Sequence, residues 1–251
     1  MDARLAALFL WFVCASAAAF DHSTWDDLLR RHVVLLDGAK ASQVRYGAID
    51  RAQLKRYLAA LSSTSTSEFE RWPQAERKAF LINAYNAFTV EKILTRYPDI
   101  RSIWDFGKVF GNPFKDEFFV LLGRRASLDW IEHETLRKHY PDPRLHFALN
   151  CASVGCPMLR EEAYVAARLE AQLDEQASRF LSDRTRNRYR EGRLEVSRIF
   201  DWYKDDFAPR ERWFARHAAL LGADADAVGR AKLVFLEYDW ALNDFRSSSR
   251  P

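Results

Sequence analysis

The sequence predicts an α+β fold: a mostly helical single domain with a small antiparallel sheet. Three observations predict it. Apolar residues recur at helical spacing through several long segments, two short Gly-centred hairpin signals punctuate them, and glycine is scarce, at 9 of 251 residues. The usual glycine share is about 7%, so few tight turns are on hand for a many-stranded barrel.

The elements follow in chain order. Residues 1–19 read as a targeting segment: a short polar start, the apolar run LAALFLWFVCA, then small residues at Ala17 and Ala19. The run is too short to span a bilayer, and cleavage is expected after Ala19. Cys14 then falls in the discarded segment. The mature chain, 20–251, is expected to be one globular domain without a transmembrane segment, exported to a periplasmic or extracellular setting. Ser23 and Asp26 suggest a capping box for a helix over STWDDLLRRHV. Asp50 is placed to cap RAQLKRYLAALS, whose Leu54, Tyr57, Leu58 and Leu61 form an apolar stripe. SSTSTSE (62–68) reads as a linker between helices.

Pro73 opens a helix that runs to Tyr97, before Pro98. It is apolar on nearly every side from Ala79 to Val90 and should be the central buried helix. DEFFVLL and RASL flank Gly123 as a hairpin, and Ser127 caps LDWIEHETLRKHY. EEAYVAARLEAQLDEQASRFLSD repeats Val165, Leu169, Leu173, Ala177 and Phe180 at helical spacing. RYREGRLEVS is a second hairpin turning at Glu191-Gly192. Pro209 starts a helix that Gly222 ends, and KLVFLEYDWAL alternates like a strand.

Charge excludes some function classes. With 38 basic and 35 acidic residues, a net charge of +3 gives no electrostatic case for nucleic acid. No cofactor is expected, and the natural partner is an unknown small-molecule or peptide substrate.

Chemistry concentrates in HFALNCASVGCPMLR, residues 146–160. Cys151 and Cys156 are the two cysteines left after Cys14. Their spacing is wrong for the C-x2-C of zinc knuckles and thioredoxin-like motifs, and a His with two Cys at these intervals is not a usual zinc set, so no metal is expected. A Cys151–Cys156 bridge, favoured by export, and a reactive Cys151 thiol stand level as readings. His146 is either its base or a hydrogen-bonded core histidine. Glu132 falls on the apolar stripe of its helix with Leu128, Ile131, Thr135 and Leu136, so it needs a buried partner such as His146 or Arg144. Asn83 and Asn86, three residues apart on the buried helix, either anchor neighbouring loops or offer amide donors to a pocket. FDWYKDDF (200–207) and EYDWALN (237–243) are read as structural aromatic–acid clusters.

The motifs INAYNAFTV, IEHETLR, HFALNCASVGCPMLR, IFDWYKDDF and YDWALN, in this order, resemble the bacterial and plant family called domain of unknown function 547, over roughly residues 70–243. The resemblance places the family's motif positions on Asn83, Asn86, Glu132, His146, Cys151 and Cys156 and implies no particular reaction. The leading expectation is a thiol-dependent acyl hydrolase or transferase. Cys151 is its nucleophile, His146 its base, Glu132 the group orienting the imidazole, and Asn83, Asn86 or Asn150 an oxyanion donor. The alternatives are a non-catalytic binding module shaped by a Cys151–Cys156 disulfide and a thiol–disulfide exchange protein.

Overall fold

The computed structural model describes residues 19–107 and 111–246. The apolar run, Cys14 and the last five residues lie outside them. Helix α1 (Ser23–His32) begins one residue earlier than a Ser23 cap requires. Asp26 is drawn away to Arg30 and to the Ala163 amide, so the expected capping box does not form. The chain then leaves the helix at Val33. β1 (Val33–Leu36) and β2 (Ala41–Val44) form an antiparallel hairpin in a stretch to which, beyond Val33, the sequence reading assigned no element. The signal was Asp37-Gly38, which turns the chain at φ +51° and +65°.

Asp50 caps α2 (Arg51–Ser63) by accepting from the Ala52 and Gln53 amides, and the expected stripe is buried. The 62–68 linker is shorter than expected. Ser65 caps a further short helix, α3 (Thr66–Arg71), leaving Thr64 and Ser65 to connect the two. Helix α4 (Gln74–Leu94) is the central element, buried without a break from Ala79 to Val90. Its neighbours are α1, α2, α3 and the β3 (Phe119–Leu121)–β4 (Arg124–Ala126) hairpin, which turns at Gly123. Together they make the larger of two hydrophobic clusters.

The segment capped by Ser127 is helical but wound as a π-helix over Trp130–Arg137, with the Thr135 hydroxyl donating to the Trp130 carbonyl. Such windings recur at functional sites. After it comes the single turn α5 (Leu145–Ala148). The helix expected from Glu161 starts later, with α6 at Leu169–Leu181 behind a short 3₁₀ turn. Residues 163–165 are held out of a helix by side-chain partners: Asp26 takes the Ala163 amide, Asn83 the Tyr164 amide and Gln172 the Val165 amide.

A second cluster packs α6, α7 (Ile199–Trp202), α8 (Arg210–Arg216), α9 (Ala218–Leu221) and α10 (Ala225–Arg230) around Phe147, Phe180, Phe200, Phe207 and Trp213. The expected 209–222 helix breaks at His217, and Gly222 ends it at φ +86°. The sheet differs from the single antiparallel one expected. Among the described residues there are two separate hairpins and one three-stranded sheet, β5 (Arg188–Arg190)–β6 (Arg193–Val196)–β7 (Lys232–Phe235), in which β7 runs parallel to β6. β7 returns through α7–α10, and such a crossover permits parallel pairing. No helix among the described residues is long and apolar enough to cross a membrane.

Candidate active site

Turn α5 sits at the seam of the two clusters. Leu145 and Ala148 belong to the larger one and Phe147 to the smaller. His146 therefore emerges between them, at the wall of a cavity of about 470 Å³. Cys151, Cys156, Glu132, His133 and Arg137 line the same cavity, together with seven aromatic rings including Tyr203, Tyr238, Trp202 and Trp240.

The thiol loop is held from two directions. Asn86 accepts from the Asn150 amide and donates to the Ala148 carbonyl. Asn150 donates to the Pro157 carbonyl and accepts from the Ala152 amide. Ala152 sits at φ +61°, a conformation that non-glycine residues adopt only under such constraint. From the other side, residues 239–243 lie along the loop: Val154 and Gly155 donate to the Ala241 and Asp239 carbonyls, and Asn243 donates to that of Ala152. A Cβ at Gly155 would stand 2.9 Å from the Asp239 nitrogen, so only glycine fits. The expected KLVFLEYDWAL strand thus divides between β7 and this thiol-loop clasp.

Asn83 is likewise committed, exchanging two hydrogen bonds with the Tyr164 backbone. All three amides serve backbone groups and none lines the cavity. The oxyanion role expected for Asn83, Asn86 and Asn150 does not fit. Anchoring, the other reading of Asn83 and Asn86, does.

Cys151 and Cys156 are free thiols. Their sulfurs share a hydrogen bond at 2.7 Å, and the Cys151 amide donates to Cys156 Sγ at 2.9 Å. The expected disulfide alternative is not formed. Cys151 is half-buried and faces the cavity, with Ser153 Oγ at 3.0 Å and the Tyr238 hydroxyl at 3.2 Å. Burial would push its thiol up, but hydrogen bonds from Cys156, Ser153 and Tyr238 outweigh that and hold it below the ordinary thiol value. Cys156 is pushed well up by burial, and its bond to Cys151 adds to the effect. The bond between the two sulfurs therefore acts in opposite directions on them, lowering Cys151 and raising Cys156.

His146 is buried, and its imidazole joins three segments. Nε2 meets Asp206 Oδ2 at 2.6 Å, the ring stacks on Tyr203 with centroids 3.8 Å apart, and Nδ1 points toward Glu132 Oε1 at 3.9 Å with no hydrogen-bond partner. Asp206 also receives two bonds from Arg137, at 2.6 and 2.9 Å. Its carboxyl is held well below the usual carboxylate range, first by His146 and then, against burial, by Arg137. Glu132 is 8% exposed, as its place on the apolar stripe requires, but its closest partner is the Tyr203 hydroxyl at 2.7 Å. Arg144, the other expected partner, pairs instead with Asp142, Glu170 and Asp174. No hydrogen bond joins His146 to Cys151.

Asp206, Tyr203, Tyr238 and Arg137 are the site residues that the sequence reading missed. The first three lie in the two aromatic–acid clusters read as structural; the signal was acids and hydroxyl-bearing rings set beside the motif residues. Tyr203 is kept protonated by burial and by Glu132, and Tyr238 by burial and the nearby thiols, so both hydroxyls are donors. Among the described residues no group of three or more His, Cys, Asp or Glu side chains is arranged to hold a metal ion.

Residues 69–181 match the family model described as "Protein of unknown function, DUF547". The match ends before IFDWYKDDF and YDWALN, so Tyr203, Asp206 and Tyr238 lie beyond it. No curated protein and no solved structure matches the chain.

Proposed function

For a chain whose residues 69–181 match the model of the DUF547 family of proteins of unknown function, we propose a thiol-dependent acyl hydrolase or transferase, exported, with Cys151 as nucleophile. The observation that carries this reading is one cavity holding a thiol of lowered pKa and an imidazole oriented by a carboxylate, with one nitrogen unpartnered. Asp206 accepts the Nε2 proton of His146, which leaves the Nδ1 lone pair as the base. Glu132, 3.9 Å from Nδ1, favours the imidazolium once it forms. The role first expected of Glu132, orienting the ring, passes to Asp206.

In the reaction, Cys151 Sγ bonds to the acyl carbon of a substrate seated among the aromatic rings. The bond from that carbon to the leaving group breaks. The thiol proton passes to His146 Nδ1 and then to the leaving group. Water or a second acceptor releases the acyl group from sulfur. The Tyr238 hydroxyl, beside the nucleophile, is the donor available to the developing oxyanion. Catalytic hydrogen bonds are often long before substrate binds, so the missing His146–Cys151 bond is compatible with this assignment. The export setting rests on the apolar run and the Ala17–Ala19 end.

A second reading, thiol–disulfide exchange, draws on the 2.7 Å sulfur contact. Cys151 would attack a substrate disulfide and Cys156 would resolve the mixed disulfide. One experiment separates the two. Reduced protein is treated with p-nitrophenyl acetate, and the acylated residue is identified by mass spectrometry. Acylation should fall on Cys151, slow by about 100-fold in His146→Gln, and survive in Cys156→Ala. Acylation elsewhere, or no effect of His146→Gln, would overturn the acyl-transfer reading. Turnover of a peptide disulfide that vanishes in Cys156→Ala would establish the exchange reading instead.

A further inference from the structure

We propose that Glu76 is a built-in receptor for the α-ammonium group of Phe20, exposed when residues 1–19 are removed. Glu76 stands in the first turn of the central helix α4 and is only 6% exposed. Its Oε1 accepts the Phe20 backbone N–H at 2.9 Å. No lysine, arginine or histidine among the described residues forms an ion pair with it. A buried carboxylate needs a countercharge, and a single neutral amide supplies little of one. Hydrolysis of the Ala19–Phe20 bond would supply it at the same atom. One water is consumed, Ala19 leaves with the new carboxylate, and the Phe20 nitrogen becomes an amine that is protonated at neutral pH.

The surroundings fix this nitrogen in place. The Phe20 ring is clamped against Phe80 at 5.0 Å, His22 at 4.9 Å, and Trp72 and Tyr57 at 6.1 Å each. Ala19, one residue earlier, is exposed. The chain thus begins to pack against the core at Phe20, the half-buried residue at which small-residue processing would start it. The titratable groups around the nitrogen do not compete for Glu76. His22 is bonded to the Tyr57 hydroxyl, Asp21 caps the Ser23 amide, Arg77 lies over the Tyr140 ring, Arg30 pairs with Asp26, and Arg168 pairs with Glu162. The helix N-terminus favours the Glu76 carboxylate. The ammonium therefore completes a buried pair, and processing strengthens the existing tie between α4 and the chain that leads into α1. This assignment stands apart from the thiol chemistry, since neither Glu76 nor Phe20 lines that cavity.

The test uses the full-length chain expressed with export. Mass spectrometry reads the first residue, and the α-amine is then titrated by its rate of acylation against pH. The reference is the free peptide Phe20–Thr24. The expected start is Phe20. The expected amine midpoint is about one unit above the peptide's, which is about tenfold slower labelling near pH 7, and Glu76→Gln should abolish that rise. A different first residue, a midpoint at or below the peptide's, or a raised midpoint that survives in Glu76→Gln would each overturn the proposal. If Glu76→Gln fails to fold, the wild-type midpoint alone decides. Burial without a carboxylate pushes an amine down, whereas a paired ammonium is pushed up.

Discussion

His146 Nε2 and Asp206 Oδ2 lie 2.6 Å apart, though sixty positions separate them in the chain. Arg137, from the π-helix, holds the same carboxylate, so three segments meet at one oxygen pair. Asp206→Asn removes the charge and replaces one of its two accepting oxygens with an NH2 donor, so the imidazole tautomer is no longer fixed. We predict that acylation of Cys151 falls by about 100-fold or more, with little change in melting because Asp206 is partly exposed. An unchanged rate would show that the Asp206–His146 pair is structural only.

Cys151 is predicted to alkylate with iodoacetamide at a midpoint below the free-thiol value of about 8.5. The cause is donation from Cys156, Ser153 and Tyr238 against burial. Cys156→Ala and Tyr238→Phe should each move the midpoint upward. A midpoint that ignores both substitutions would remove these donors from the account.

His22 supplies a pH-dependent stability. Burial lowers its pKa to about 4, with Asp21 opposing weakly. The folded state holds it neutral, so the unfolded chain binds the extra proton between about pH 6.5 and 4. Stability should be fully present above that window and lost as pH falls through it, by about 3 kcal/mol in all. His22→Gln should lack this part of the acid loss, measured as the difference in urea stability between pH 7 and pH 4.5. Parallel pH profiles for wild type and variant would refute the assignment.

Asn86 ties α4 to both ends of the 148–150 segment. Asn86→Ala strands a buried amide and a buried carbonyl, and we expect a loss of about 2–4 kcal/mol. Cys151 labelling should also lose its low-pH midpoint as the loop loosens. A loss below about 0.5 kcal/mol would mean that the clasp from residues 239–243 holds the loop alone.

The sequence by itself determined the local features, because each is written in contiguous residues. The Asp50 cap, the Leu54–Leu61 stripe, the buried α4, the Gly123 and Glu191-Gly192 turns and the Ser127 cap all form as read. The motif around His146 and Cys151 lies at the cavity wall, and Glu132 announced its burial by standing on an apolar stripe. What it could not fix was partners. Asp206 reaches His146, Tyr203 reaches Glu132 and Tyr238 reaches Cys151 across 60, 71 and 87 positions. Those encounters depend on how two hydrophobic clusters close against each other, and no local period or propensity encodes that. The same holds for residues 163–165, whose helical spacing lost to amide partners from α1, α4 and α6, and for β7, whose parallel pairing needs the intervening helices as its crossover. Short-range sterics and capping set the elements. Long-range burial, which is non-directional, set the seam between the clusters, and the site lies in that seam.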